Sequence, residues 1–443
     1  MPMLATIGGG SARGFGFGAG IASYWQSGVV TETIVRPSGT TGQYGISVDL
    51  NDDGTYAIVG APASGVGYAY IYSVSGTTFT QQASINGGSS SGSFQSGDDF
   101  GHAVAISGDG TVAVMGAPGY DVSINTLNTG DAYVFERSGI TWTQRARLGT
   151  TRLSTDQDTR DEYGHAVDID EDGTFVVVSA LYDDSTNSGG DPAPGAIYAC
   201  GPYSGSSYND FKLTASDGFD GDHFGHDVAI SGNGSYIIVG APNKHKTIVP
   251  TKEDSGAVYI YERTGSTFSG ATETIIDNPD PGGYDEFGIS VDINYDGTWA
   301  AIGSPGDDDA ALSAGAVFVY KRTGSSWAQQ AKLVADDAAG IDQLGDGQAG
   351  IQISDDGTKI VAGASGDDPG GAAYIFERTG ESWKQTRKLT ASDAQVNDFY
   401  ASGSQGGVSM SNDGETVLIG ASGEDGGAGD PTSGRGCAYH YTK

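Results

Sequence analysis

The sequence predicts an all-β protein, a seven-bladed β-propeller of four-stranded antiparallel blades. Three observations lead to this fold class. A pattern of two hydrophobic runs that flank an Asp/Asn-Gly turn occurs seven times in the sequence. The turn glycines are 56 to 63 residues apart, a period that marks a repeat architecture. No helical periodicity separates the copies, and Gly supplies 73 of 443 residues, as a fold rich in tight turns requires. The seven turn glycines are Gly54, Gly110, Gly173, Gly234, Gly297, Gly357 and Gly414.

Each copy divides into four short strands, and the second copy illustrates the division. Residues 100–106 form the first strand, residues 112–116 the second, residues 132–136 the third and residues 141–148 the fourth. A hairpin turn at Gly110 joins the first two, because glycine supplies the positive φ that such turns need. Four antiparallel strands without an intervening helix correspond to one propeller blade.

The seventh copy lacks a fourth strand, because the sequence given ends at Lys443, soon after the third strand at residues 437–441. A candidate for the missing strand precedes the first copy. Residues 30–35 read Val-Thr-Glu-Thr-Ile-Val and match residues 271–276, Ala-Thr-Glu-Thr-Ile-Ile, the outer strand of the fourth copy. We therefore predict that residues 29–35 pair with the third strand of the last blade and close the ring.

The copies resemble FG-GAP repeats, as in bacterial FG-GAP repeat proteins and the integrin α-subunit head. The resemblance covers about residues 30–443 and implies a closed propeller, a fold that serves many unrelated functions. The FG element stands as Phe100-Gly101, Phe224-Gly225 and Phe287-Gly288. The GAP element stands as Gly60-Ala61-Pro62, Gly116-Ala117-Pro118 and Gly240-Ala241-Pro242, and it drifts in the other copies.

The amino-acid composition limits the classes of partner that the protein is expected to bind. The formal net charge is −34, which argues against nucleic acid, because phosphate backbones are bound through Lys and Arg. An acidic surface fits solubility, divalent cations in loops, or adaptation to salty water. No apolar run is long enough for a membrane span. Cys200 and Cys437 fall in the third strands of blades that lie far apart, so both are expected to be free, buried thiols.

Three turns read Asp-x-Asp/Asn-x-Asp-Gly, and calcium is the one cofactor that the sequence suggests. Alternate oxygens on a glycine turn can surround Ca²⁺, which prefers six to eight oxygen ligands. The integrin-type loop is similar but adds an acidic ligand eight residues after the first, where this chain has Ala57, Val176 and Ala300. The alternative is that these side chains cap the backbone of their own hairpins. The candidate ligands are Asp49, Asn51, Asp53, Asp168, Asp170, Asp172, Asp292, Asn294 and Asp296.

Other polar residues give weaker signals. His102, His165 and His226 each follow the FG element of a copy, so they either form an imidazole cluster near the channel mouth or simply repeat an inherited residue. Acidic runs also follow several GAP elements, as cation ligands or as solvated charges. No Ser-His-Asp arrangement, phosphate loop or HExxH helix occurs, so we expect a protein without catalytic activity. A carbohydrate-active enzyme remains a third interpretation, because paired carboxylates cannot be singled out among 56 acids.

Residues 1–23 form a glycine-rich arm outside the repeats, followed by the propeller at residues 24–443. The arm lacks the basic region and apolar core of a signal peptide. Its phrase Gly-Ser-Ala-Arg-Gly-Phe-Gly-Phe-Gly resembles the opening of structural proteins of marine tailed phages. A glycine-rich terminus is by default a disordered tail. However, five of its side chains are of the kind that dock into a partner's groove: Leu4, Ile7, Arg13, Phe15 and Phe17.

The leading prediction is therefore a virion structural protein of a tailed phage. The propeller would be an exposed appendage on the capsid or tail, the arm would bind other virion proteins, and the loops would meet a host surface glycan or protein. The alternative is a bacterial FG-GAP adhesion or binding module, located at the cell surface or outside the cell. Neither interpretation involves nucleic acid.

Overall fold

The computed structural model of the chain describes residues 31–35, 42–63, 65–87, 94–121, 128–149, 160–184, 194–205, 207–245, 254–347, 350–394, 398, 400–401, 407–424 and 435–442. These ranges contain twenty-eight β-strands. In chain order the strands are β1 (Thr31–Val35), β2 (Val48–Leu50), β3 (Tyr56–Ala61), β4 (Tyr68–Ser75), β5 (Thr78–Asn86), β6 (Val104–Ile106), β7 (Val112–Ala117), β8 (Asp131–Ser138), β9 (Thr141–Arg147), β10 (Tyr163–Ile169), β11 (Val176–Ala180), β12 (Ala196–Cys200), β13 (Asp210–Leu213), β14 (Val228–Ile230), β15 (Tyr236–Ala241), β16 (Ala257–Thr264), β17 (Thr267–Asp277), β18 (Val291–Ile293), β19 (Trp299–Ser304), β20 (Ala316–Thr323), β21 (Ser326–Leu333), β22 (Ile351–Ile353), β23 (Lys359–Ala364), β24 (Ala372–Thr379), β25 (Ser382–Leu389), β26 (Val408–Met410), β27 (Thr416–Ala421) and β28 (Cys437–Thr442).

The strands form seven four-stranded antiparallel sheets, which confirms the predicted propeller. Blades one to six are β2–β5, β6–β9, β10–β13, β14–β17, β18–β21 and β22–β25, each with its first strand innermost. The innermost strand is shorter than the sequence pattern suggested: in blade two it is β6, residues 104–106, rather than residues 100–106. Gly101 has φ 83°, so the chain bends after Phe100 before it enters the sheet.

Blade seven is completed by the N-terminal strand, as predicted. Its strand order is β1-β28-β27-β26, and the register runs from Thr31 opposite Thr442 to Val35 opposite Ala438. The carboxylate of Glu32 accepts the N–H of Ser392 at 3.2 Å and the hydroxyl of Tyr441 at 3.1 Å. Blade four makes the same two contacts through Glu273, Ser216 and Tyr261. The clasp strand β1 therefore reproduces an ordinary outer strand.

The FG and GAP elements pack against each other across neighbouring blades. A Cβ atom on Gly60, in the GAP element of blade one, would collide with the carbonyl oxygen of Gly101 in blade two. The same relation holds at the closure, where a Cβ on Gly420 would collide with the carbonyl of Gly45. Glycine is required at these positions because two backbones approach closely. The seam between blades seven and one is thus built like the others.

Apolar clusters fill the spaces between neighbouring blades, and the aromatic rings of the FG elements are completely buried in them. A recurring arginine on the third strand adds a polar contact between blades. In blade five, Arg322 Nε donates to the carbonyl of Gly297 in its own turn at 2.6 Å. Its guanidinium lies 4.4 Å from the ring centre of Tyr236 in blade four. The equivalent residues are Arg137, Arg263 and Arg378.

Candidate functional site

The ring encloses a central channel with a cavity of about 140 Å³. The turn glycines mark one face of the propeller, called the turn face here, and the FG and GAP elements mark the opposite, loop face. The cavity lining includes seven carboxylates and no Lys or Arg. The seven are Asp49, Asp52, Asp168, Glu171, Asp227, Asp292 and Asp355. The described lining of this channel is therefore strongly acidic.

The first member of each candidate calcium triplet lies in the channel wall rather than in the turn. Asp292 Oδ1 accepts the N–H of Ile293 at 2.8 Å, and its Oδ2 accepts the N–H of Ile353, in the next blade, at 2.7 Å. Asp49 and Asp168 bridge to the next blade in the same way. Burial raises the pKa of Asp292 to about 8 and that of Asp49 to about 6, although these hydrogen bonds oppose the rise.

The other two members of each triplet cap the hairpin. Asn51 Oδ1 accepts the N–H of Tyr56 at 2.7 Å. Asp53 Oδ1 accepts the N–H of Thr55 at 3.0 Å. The remaining members of this kind are Asp170, Asp172, Asn294 and Asp296. Blade two has no such triplet, yet the hydroxyl of Ser107 accepts the corresponding N–H at 3.0 Å. Capping thus accompanies the turn whether or not the triplet is present.

Metal binding at these turns stays a prediction. Among the residues that the structure describes, no group of three or more His, Cys, Asp or Glu side chains is arranged to hold a metal ion. The oxygens of each triplet are divided between the channel wall and the hairpin. An ion at such a turn would therefore have to share oxygens that already accept backbone N–H groups.

A second acidic group, which sequence reasoning missed, lies where the channel opens on the turn face. It consists of Asp52, Glu171 and Asp355, from blades one, three and six. Asn412 Nδ2 donates to Asp355 at 2.5 Å. Burial, followed by repulsion from Asp355 and Glu171, raises the pKa of Asp52 to about 7. The sequence does show an acidic residue at the same position of three turns. However, these three side chains come together only because the ring is closed.

The three candidate histidines lie in a row across blades two, three and four. The ring centres of His102 and His165 are 5.5 Å apart, and those of His165 and His226 are 6.0 Å apart. His226 Nδ1 lies 3.1 Å from the carbonyl oxygen of Ile289, and His165 Nδ1 lies 3.5 Å from Glu162 Oε2. Burial lowers the pKa of His165 and of His226 to about 3, so these imidazoles are neutral at pH 7.

The acidic runs after the GAP elements form ion pairs on the loop face. Lys332 Nζ lies 2.6 Å from both Asp307 and Asp309. In the next blade, Lys388 Nζ lies 2.6 Å from Asp367. Both lysines also reach an acid in the linker from the preceding blade, Asp280 and Asp337 respectively. These carboxylates thus form ion pairs that stabilise loops on the loop face.

The predicted anchors of the arm, Leu4, Ile7, Arg13, Phe15 and Phe17, lie outside the described residues. The start of the clasp strand β1 is nevertheless described. Thr31 is paired with Thr442, which is also paired with Thr416 just after the turn at Gly414. The first residue of the clasp strand therefore lies at the turn face, on the outer edge of blade seven.

The fold and the repeated glycine contacts define a β-propeller of repeated FG and GAP elements. The family model described as FG-GAP repeat matches residues 90–135, 142–199, 209–261, 272–320, 327–376 and 383–441. These segments make up more than half of the chain, which belongs to the FG-GAP repeat family. This membership suggests a binding or adhesion module.

Among solved structures, the chain is similar to "Crystal structure of RRP9 WD40 repeats". The TM-score is 0.57 at 9% sequence identity, and the match covers 93% of this chain and 97% of that one. Such a likeness concerns the fold alone. No curated protein matches the chain. The described residues include no helix that is long and apolar enough to span a membrane.

Proposed function

We propose that the chain is a virion structural protein, an exposed propeller appendage on the capsid or tail of a tailed phage. The N-terminal arm tethers it to other virion proteins, and the loop face meets a glycan or protein of the host surface. The observation that carries the proposal is the place where the clasp strand begins. Thr31, the first residue of β1, lies at the turn face on the outer edge of blade seven. A tether that precedes it would leave the loop face to a second partner.

The chemistry of the arm supports its role as a tether. Ordering a residue costs about 1–2 kcal/mol, and glycines bring no side chain to offset it. The arm can therefore become ordered only where a partner offers pockets for Phe15 and Phe17 and an acceptor for Arg13. Leu4 and Ile7 supply two further apolar contacts.

Binding rather than catalysis is supported by how the polar groups are used. The channel carboxylates at Asp49, Asp168 and Asp292 accept backbone N–H groups from the next blade. The acids of the loop face that pair with Lys332 and Lys388 stabilise the loops. Loops held by such ion pairs on a β-sheet scaffold suit recognition of a surface. Calcium at the three acidic turns belongs to the proposal as a stabilising ion.

A second candidate is a bacterial cell-associated adhesion module of the FG-GAP type. The family match favours it, because that match concerns the ring and does not involve the arm. In that case the protein would be found at the cell surface or outside the cell. The two candidates differ in what the arm does, so the arm is the part to test.

The test compares the full-length chain with a variant lacking residues 1–22 during particle assembly. We expect the truncated protein to be absent from purified particles while its ring stays folded. The double variant Phe15→Ala/Phe17→Ala should lower occupancy, and Ser11→Ala, a matched change in the same arm, should not. Full occupancy of the truncated protein would refute the tether. Absence of the full-length chain from particles, with binding to bacterial cells, would favour the adhesion module.

A further inference from the structure

His440 occupies a position that is aliphatic in every other blade. It lies on the third strand of blade seven, opposite Leu418 on β27 and Thr33 on the clasp strand β1. The residues in the same place in blades one to six are Ile71, Val134, Ala199, Ile260, Val319 and Ile375. The sole ionisable group in this ring of seven positions therefore stands beside the strand that closes the ring.

The imidazole of His440 is buried without a polar partner. The residue is 1% exposed, and its ring lies edge-on to Phe79 of blade one at 4.9 Å. Neither ring nitrogen has a hydrogen-bond partner among the described residues. His440 thus contacts blade seven, the clasp strand and blade one at the same time, and these contacts are apolar.

No charged side chain faces this imidazole from the described parts of the packed strands. On β1, Thr33 and Val35 lie on the same side as His440, whereas Glu32 points the other way, to Ser392 and Tyr441. On β27 the facing residue is Leu418. The titratable groups of the apolar cluster in blade one are the hydroxyls of Tyr44, Tyr70 and Tyr72 and of the partly buried Tyr68. Burial raises the pKa values of Tyr44, Tyr70 and Tyr72 above 10, so these three stay neutral.

We propose that His440 is a proton-sensitive latch on the closure of the ring. When its imidazole is neutral, the seam between blades seven and one stays closed. When the imidazole takes up a proton, the charge has no acceptor in the seam, so the state in which β1 separates from β28 becomes favoured. Acid would thus loosen the strand to which the N-terminal arm is joined.

The sign and size of the effect follow from the burial. Burial lowers the pKa of His440 from 6.5 to about 4. Because the folded pKa is depressed, the contribution of the neutral imidazole to closure is complete above pH 6.5 and is lost as the pH falls towards 4. For an exposed imidazole in the open state, the opening equilibrium constant rises roughly 30-fold between pH 8 and pH 5.

Hydrogen exchange of the clasp strand tests the latch. After correction for intrinsic exchange, opening of residues 31–35 should increase about 30-fold from pH 8 to pH 5. The outer strand of blade four, residues 272–276, should not follow it. His440→Val, which installs the residue of two other blades, should abolish the increase. His245→Val, at an exposed site, should leave it intact. A clasp with the same pH dependence in His440→Val would overturn the proposal.

A titration of the unmodified protein covers the case in which His440→Val does not fold. By NMR, the imidazole of His440 should titrate near pH 4. An ordinary pKa near 6.5 for His440, with the clasp still protected, would contradict the latch. Loss of clasp protection that tracks the titration of His440 would support it.

Discussion

Removing the carboxylate of Glu32 should weaken the clasp by an amount that the structure defines. The change is Glu32→Ala. It deletes hydrogen bonds from the N–H of Ser392 at 3.2 Å, from the Ser392 hydroxyl at 2.5 Å and from the Tyr441 hydroxyl at 3.1 Å. The hydroxyl of Tyr441 still donates to the carbonyl of Thr390 at 3.1 Å, so it keeps a hydrogen-bond acceptor in the variant. At about 1 kcal/mol for each partly exposed bond, the expected loss is about 2–4 kcal/mol.

Urea unfolding at pH 7, with Glu273→Ala as the matched control, measures this loss. Glu273 makes the same contacts in blade four, where the chain is continuous on both sides. Both variants should lose about 2–4 kcal/mol, but only Glu32→Ala should speed hydrogen exchange of residues 31–35. A loss below about 0.5 kcal/mol for Glu32→Ala, beside a full loss for Glu273→Ala, would refute the equivalence of the two strands.

Three further predictions concern the turns, the blade contacts and the channel. Calcium at the acidic turns should stabilise the ring by about 3 kcal/mol at a hundredfold excess over the dissociation constant, and an unchanged melting midpoint in EDTA would leave the turns as capped hairpins. Arg322→Ala should cost about 1–3 kcal/mol in urea unfolding by removing the turn bond and the contact with Tyr236, and a neutral result would contradict that role. Asp52→Asn should stabilise the ring by about 1–2 kcal/mol at pH 8, after allowance for solvent screening, and little at pH 4. Because the pKa of Asp52 is raised from 3.8 to about 7, its favourable contribution is present below about pH 4 and is lost as the pH rises to about 7. An equal effect of Asp52→Asn at both pH values would contradict this assignment.

The repeat made the fold predictable from the sequence. Each copy carries its own turn and strand pattern, so seven weak local signals agree with one another. The clasp was predictable for the same reason, because residues 30–35 could be compared with residues 271–276. The FG and GAP glycines were visible as motifs, but their mutual contact, as between Gly60 and Gly101, appears only when neighbouring blades are placed side by side.

The candidate site was less predictable because it depends on closure of the ring. Sequence spacing grouped Asp292 with the turn that follows it. In the structure Asp292 is the middle residue of β18, and its carboxylate accepts a backbone N–H from the next blade. Asp52, Glu171 and Asp355 are far apart in the chain and meet only at the channel. By contrast, His440 could have been noticed from the sequence, as the one polar residue in an aliphatic column of the aligned copies.

The most direct test of a closed ring with a separable tether is the stability of two truncated proteins. Deletion of residues 1–22 should leave the melting temperature of the ring nearly unchanged, because the clasp strand begins later. Deletion of residues 1–35 removes the five residue pairs of β1 with β28, the contacts of Glu32 and the buried Val35, and should cost about 5 kcal/mol. Equal melting temperatures for the two truncations would contradict closure by the N-terminal strand.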